Sequence, residues 1–272
     1  MTAAMRDNVS GAPGEAEALE RILAFLRHTE ERICDEARST ALGMAMVTPS
    51  LPLVWHVNAL RVDDPAADAR EIAAEAALVQ AGLAHRKVVI HRAVLGRRLA
   101  AAMARDGWNV SRLLVMVRRR PPEPSRLAVP GTEVERDAGA ATLAAFRREQ
   151  PFGWQEEAVR QLAAMDDRFG RAAAGRDFAS PPDDPACCCR LYTDGRLAQI
   201  DEVGTVSARR GRGHASAAVL AAVAAADAAG LTPVFLLADA ADWPQRLYRR
   251  LGFDEIGSIY EFLKLRVEAT RP

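Results

Sequence analysis

Thr205-Val206-Ser207-Ala208-Arg209-Arg210-Gly211-Arg212-Gly213-His214-Ala215 joins a predicted strand to a predicted helix, and its reading decides the fold. Two alternate glycines let the backbone approach a ligand closely and turn its N–H groups into one concavity. The helix behind adds unsatisfied N–H groups and the positive end of its dipole, so the turn suits a diphosphate. Arg210 and Arg212 can supply countercharge. A glycine pair alone marks many plain turns, so the flanking sequence carries the decision.

Upstream, Ala186–Tyr192 and Leu197–Val206 read as a hairpin turned by Thr193-Asp194-Gly195. A strand near Thr132–Glu135 and a helix at Ala138–Gln150 come before it. After the loop Pro151-Phe152-Gly153-Trp154, a second helix turns Val159, Leu162, Met165 and Phe169 inward. Downstream, an Ala-rich helix runs to about Ala229, followed by a strand at Val234–Ala238 and a helix at Pro244–Leu251. Strands at Asp254–Ile256 and Ile259–Leu265 finish the chain.

The glycine turn resembles the coenzyme A signature of the GNAT acetyltransferase superfamily: Arg or Gln, two residues, Gly, one residue, then Gly or Ala. Arg210, Gly213 and Ala215 fill it. Arg246-Leu247-Tyr248-Arg249-Arg250-Leu251-Gly252-Phe253 resembles the second hallmark, Leu-Tyr, three residues, Gly-Phe. Both occur in the family's order with a strand between them, over a resemblance that covers about Val129 to Leu265. Many members carry an Asn seven residues before the Tyr; here that position is Ala241, between Asp239 and Asp242.

The resemblance implies a fold and a chemistry. The fold is α/β (α+β), a mixed, mostly antiparallel sheet flanked by helices, with central strands that splay apart to admit a thioester. Acetyl-coenzyme A is the implied acetyl donor. The backbone of Val203, Thr205 and Val206 would line its pantetheine, and the N–H groups of Gly211, Arg212, Gly213, His214, Ala215 and Ser216 would hold its diphosphate. A neutral primary amine attacks the carbonyl, and Tyr248, a phenol of pKa ~10, can protonate the leaving thiolate. The amine must also lose a proton, and Asp201 and Glu202 are the acids on the strand that feeds the cleft. Successive strand side chains alternate in direction, so one of the two faces the cleft; Glu202 is the expected base. Phe152 and Trp154 lie in a loop that often lines the acceptor pocket in this family. A fold that binds acyl-coenzyme A without turnover is the alternative.

The first half has a related order. After a first dozen residues that read as disordered, Leu19, Ile22, Leu23 and Leu26 give one apolar helical face. Strands at Ala41–Val47 and Val54–Val62, a helix at Asp68–Ala81, a strand at Lys87–Ile90, a helix at Ala93–Arg105 and a strand at Leu113–Val117 follow. Gly107-Trp108 answers to Gly252-Phe253, which suggests a tandem GNAT arrangement. Its strand-to-helix turn reads Asp63-Asp64-Pro65, with no glycine and two carboxylates that would repel a diphosphate. Opposite Tyr248 stands Met103 or Ala100, depending on the alignment. One coenzyme A per chain is therefore expected. Arg118 to Arg120 and the proline-rich Pro121–Pro124 mark the expected boundary between a degenerate domain 1–123 and an acetyltransferase domain 124–272.

Composition narrows the rest. Among 272 residues, Lys plus Arg and Asp plus Glu each number 36, so no global field draws the chain to nucleic acid or anionic lipid. No basic leader with an apolar core opens the chain, and no apolar run could span a bilayer, so a cytoplasmic protein is expected. Cys187, Cys188 and Cys189 are consecutive, which suits neither a disulfide framework nor a zinc site. The expected partner is a small-molecule or peptide amine, and the expected state is monomer or homodimer.

Overall fold

The computed structural model describes residues 13–123 and 130–266. The opening dozen residues, and Pro124 of the expected linker, lie outside them. The first half runs α1 (Pro13–Ile33), β1 (Glu36–Ser39), β2 (Gly43–Val47), β3 (Ala59–Val62), α2 (Ala69–Val79), β4 (His85–Ile90), α3 (Ala93–Arg105) and β5 (Asn109–Arg118). The second runs β6 (Thr132–Val134), α4 (Arg136–Arg148), α5 (Glu156–Ala172), β7 (Ala174–Ser180), β8 (Cys187–Thr193) and β9 (Ala198–Thr205). It ends with α6 (His214–Ala228), β10 (Val234–Asp239), α7 (Pro244–Arg250) and β11 (Phe253–Leu265). Three strands, helix, strand, helix, strand recur in both halves.

The chain divides into two compact units, and they are not the two sequence halves. Of the described residues, one holds 13–115, Ala238–Asp242 and 256–266; the other holds 116–123, 130–237 and Trp243–Glu255. The expected division at 123/124 placed the end of the chain in the second domain. Here Tyr260–Leu265 of β11 pairs antiparallel with His85–Ile90 of β4, which draws that end into the first unit.

In the first unit, β1, β2 and β3 are antiparallel neighbours and β3 runs parallel to β4. Leu60, Val62, Val88 and Ile90 meet Ile72 and Ala76 of α2, and Leu95, Leu99 and Met103 of α3, in one core closed by Trp108, Tyr260 and Phe262. Met103, opposite the position of the phenol, is therefore a packing residue. Trp55–Val57 forms a 3-10 turn where a strand was expected, because Asn58 donates to the carbonyls of Leu51 and Val54 and ties the loop.

In the second unit, β6, β7, β8 and β9 are antiparallel in that order, and β10 lies parallel to β9. The sequence reading missed β7, whose residues show no apolar alternation; it forms because β8 supplies a full seven-residue ladder. The hairpin turn stands as expected, with Asp194 accepting from the amides of Arg196 and Leu197. Arg120, expected in a solvated linker end, makes a two-pronged ion pair with Asp254. Gly252 sits at φ +89 with its Cα facing the Arg120 carbonyl, where a Cβ would stand 2.0 Å from that oxygen, so the Gly-Phe hallmark is a steric requirement here. Among the described residues, no helix is long and apolar enough to cross a membrane.

Candidate active site

The gap expected between central strands is present. β9 pairs with β10 only at Ala198–Val234 and Gln199–Phe235, and Ile200–Thr205 then continues without β10 beside it. In the first unit β3 also pairs with β4 at two positions, but it ends one residue later at Val62. A cleft along the strand thus belongs to the second unit.

At the mouth of this cleft the Gly211-Arg212-Gly213 turn is exposed, with φ +75 at Gly211 and φ +85 at Gly213. Nothing stands within 4 Å of where a Cβ would project from either glycine, so the concavity is open. Gly213 caps α6 without a side-chain hydrogen bond, which leaves the first amides of the helix, from His214 to Ser216, to an external anion. The contrast with α2 is direct. There Asp68 accepts from the amides of Arg70 and Glu71 in a capping box, so a carboxylate of the chain already fills the anion site. Arg98 of α3 further pins that loop through the carbonyls of Pro65 and Ala67. The residues of the second unit fit a diphosphate; those of the first do not.

The side chains around the turn divide by role. His214 is buried and its Nδ1 lies 3.2 Å from Ser180 Oγ, so it can serve a ligand only through its backbone. Burial, and then Arg209 and Arg212, lower its pKa. Arg212 is exposed. Arg210, expected as countercharge, is exposed and donates from Nε to the carbonyl of Thr205. Glu149, at the end of α4, accepts from the amide and hydroxyl of Ser207 and holds the start of the turn. Tyr248 lies buried on α7, its ring edge-on to Phe253 with centroids 6.3 Å apart. Phe152 is half-buried and Trp154 is 79% exposed in the α4–α5 loop.

Glu202 has a left-handed φ of +52, and the register explains it. Cys188 faces Gly204 while Arg190 faces Asp201, so Glu202 and Val203 together oppose Cys189 in a β-bulge. Strict alternation would send Asp201 and Glu202 to opposite faces. The bulge turns both toward α4 and α5. Arg190, directly across from Asp201, reaches Asp166 of α5 at 2.8 Å, and Glu202 accepts from Arg147 of α4 at 2.6 Å.

These groups form a buried ionic cluster that sequence reading did not find. Arg147 grips Asp166 with two hydrogen bonds, at 2.7 and 2.9 Å, and Glu202 with a third. Arg190 Nε lies 2.9 Å from Asp177; this contact and the one to Asp166 are short but badly aligned as hydrogen bonds, so their attraction is Coulombic. Burial would lower the pKa of Arg147, but Asp166 and Glu202 raise it. Burial raises Asp166 and Asp177 against the pull of the guanidiniums. Asp201 is pushed up to about 7 by burial and by the charge of Glu202 beside it. Burial also lifts the thiols of Cys187 and Cys188, to about 11 and about 12, so neither supplies a thiolate at neutral pH. Among the described residues no group of side chains is arranged to hold a metal ion.

The parted strand pair and the uncapped glycine turn at the head of α6 are the two features that the sequence led to expect of the fold. Residues 140–253 match the family model for the Acetyltransferase (GNAT) family. A functionally unknown conserved protein from Staphylococcus epidermidis ATCC 12228 is similar in structure, with 15% identity and a TM-score of 0.63 over 85% of this chain and 93% of its own. A GCN5-related N-acetyltransferase from Kribbella flavida shows 18% identity and a TM-score of 0.56 over 91% of this chain and 95% of its own. At such identities the likeness is one of fold, and it spans both GNAT-like units. No curated protein matches the chain. The match thus covers less than half of the chain and lies within its second half, and the family it names is one of acetyl transfer.

Proposed function

We propose that this protein transfers acetyl from acetyl-coenzyme A to a primary amine of a small molecule or peptide. The observation that carries this reading is the open, uncapped turn at Gly211–Gly213 beside the β9–β10 gap. The amides from His214 to Ser216 would hold the diphosphate, with Arg212 as countercharge, and the freed edge of Val203–Val206 would line the pantetheine. Bound there, the donor supplies an activated acetyl group. The Tyr248 hydroxyl would give a proton to the departing sulfur.

The test is thiol release from acetyl-coenzyme A over a panel of amines. Amine-dependent release supports the reading, whereas binding with no release for any amine would make the protein an acyl-coenzyme A-binding module. Tyr248→Phe keeps the ring and its contact with Phe253. Its turnover should fall about 10- to 1000-fold with little change in coenzyme A affinity. Equal turnover in the two proteins would reduce Tyr248 to packing.

A further inference from the structure

We propose that His214 is a positioning residue for the diphosphate turn, acting through its buried hydrogen bond with Ser180 of β7. This rests on the reading of Gly211–Gly213 as a diphosphate site. The turn must aim several amides at one point, and its glycines alone do not fix that geometry. Both have open space around them, and Gly213 caps α6 with no side-chain hydrogen bond. A loop that becomes ordered only on binding loses affinity, so something outside the turn must hold it.

The fixed points come from the connection between β7 and β8. The amide of Val206, where the turn begins, donates to the carbonyl of Ala186 at 3.0 Å, and the Ala186 amide donates to the carbonyl of Ser180 at 3.0 Å. Arg209 pairs with Asp184 of the same connection at 2.8 Å. At the far end of the turn, His214 Nδ1 lies 3.2 Å from Ser180 Oγ. Both ends of the turn are thus fastened to one short segment.

Burial ranks these ties. The Arg209–Asp184 pair is open to water and contributes little, whereas Ser180 and His214 are 0% and 5% exposed. A buried hydroxyl needs an acceptor, and among the described residues the group that meets Ser180 Oγ is Nδ1 of His214. Nδ1 accepts when the ring is neutral with its proton on Nε2, and burial, then Arg209 and Arg212, favour that neutral form. The bond restrains the first residue of α6, whose own amide faces the anion site. A capping side chain could also steady the helix start, but it would fill that site, as Asp68 does at α2. A side chain reaching back to β7 holds the helix and leaves its amides free.

Full-length variants test this by titration with coenzyme A, which needs no turnover. Ser180→Ala and His214→Leu should each raise the Kd about tenfold. The double variant leaves neither partner buried and unpaired, so it should melt close to the natural protein and bind no more weakly than the weaker single variant. His214→Asn, whose side-chain oxygen can accept from Ser180 in place of Nδ1, should recover most of the affinity. In the steady state the KM for acetyl-coenzyme A should rise in the double variant while kcat holds, because the tie lies away from the reacting atoms. Unchanged affinity in the double variant overturns the proposal. So do losses that multiply from the singles to the double, or a His214→Asn that binds as weakly as His214→Leu. If the natural protein binds coenzyme A but releases no thiol with any amine, the transferase reading fails and the affinity series still decides the tie. If it binds no coenzyme A, the turn is not a diphosphate site and the proposal falls with it.

Discussion

Arg190→Met should destabilise the protein by about 3–5 kcal/mol, measured by urea unfolding at pH 7.5. Arg190 is 1% exposed and lies between Asp166 and Asp177, themselves 2% and 3% exposed. Methionine fills much of the volume but leaves Asp166 to Arg147 alone and Asp177 to the more distant Arg136, 3.7 Å away. Against a total stability of about 5–15 kcal/mol, that loss is severe. It should also depend on pH with a defined sign. Burial already raises both carboxyls and losing Arg190 raises them further, so the penalty grows with pH as they ionise. It should shrink as pH falls through their folded pKa values toward about 3.9, where protonation discharges them. Adding Asp177→Asn to Arg190→Met should recover part of the loss at neutral pH. A single variant within about 1 kcal/mol of the natural protein would mean that the cluster contributes no more than a surface pair.

Gly213→Glu should weaken coenzyme A binding at least about a hundredfold, and titration of the natural protein should give one equivalent per chain. The two expectations share one cause. Gly213 holds φ +85 at the cap of α6, a conformation that costs a side-chain residue about 1–2 kcal/mol, and glutamate adds a negative charge where the diphosphate would sit. The backbone strain is carried with or without ligand, so the loss of binding rests on the glutamate charge and bulk at the diphosphate position, and a hundredfold loss corresponds to ~2.8 kcal/mol. Space is open around the Gly213 position but the left-handed backbone strains any side-chain residue there, so the variant's melting is measured beside its binding. The first unit should not compensate, because Asp68 already occupies the amides at the start of α2. Two equivalents per chain, or full binding retained in the variant, would place a working diphosphate site in the first unit.

The sequence by itself determined the glycine turn, the Ala-rich helix behind it, the Asp194 hairpin and the repeated order of elements. These follow from local rules: positive φ at glycine, helical and strand periodicity, and side chains that bond their own backbone neighbours. It also marked the first-half turn as unsuited to a diphosphate, although the acid that caps α2 is Asp68 and not the Asp63-Asp64 pair. Tertiary structure alone decided what depends on distant partners. β7 lacks an apolar pattern and exists through its ladder with β8, and β11 joins β4 across more than half the chain. Alternation along β9 predicts that one of Asp201 and Glu202 faces the cleft. One extra residue in the register turns both the same way, and an Arg on α4 then pairs with Glu202. A bulge is a mismatch between two strands, and an ion pair between Arg147 and Glu202 closes over 55 residues. Neither is written in either segment alone, because each is a property of what folding brings opposite it.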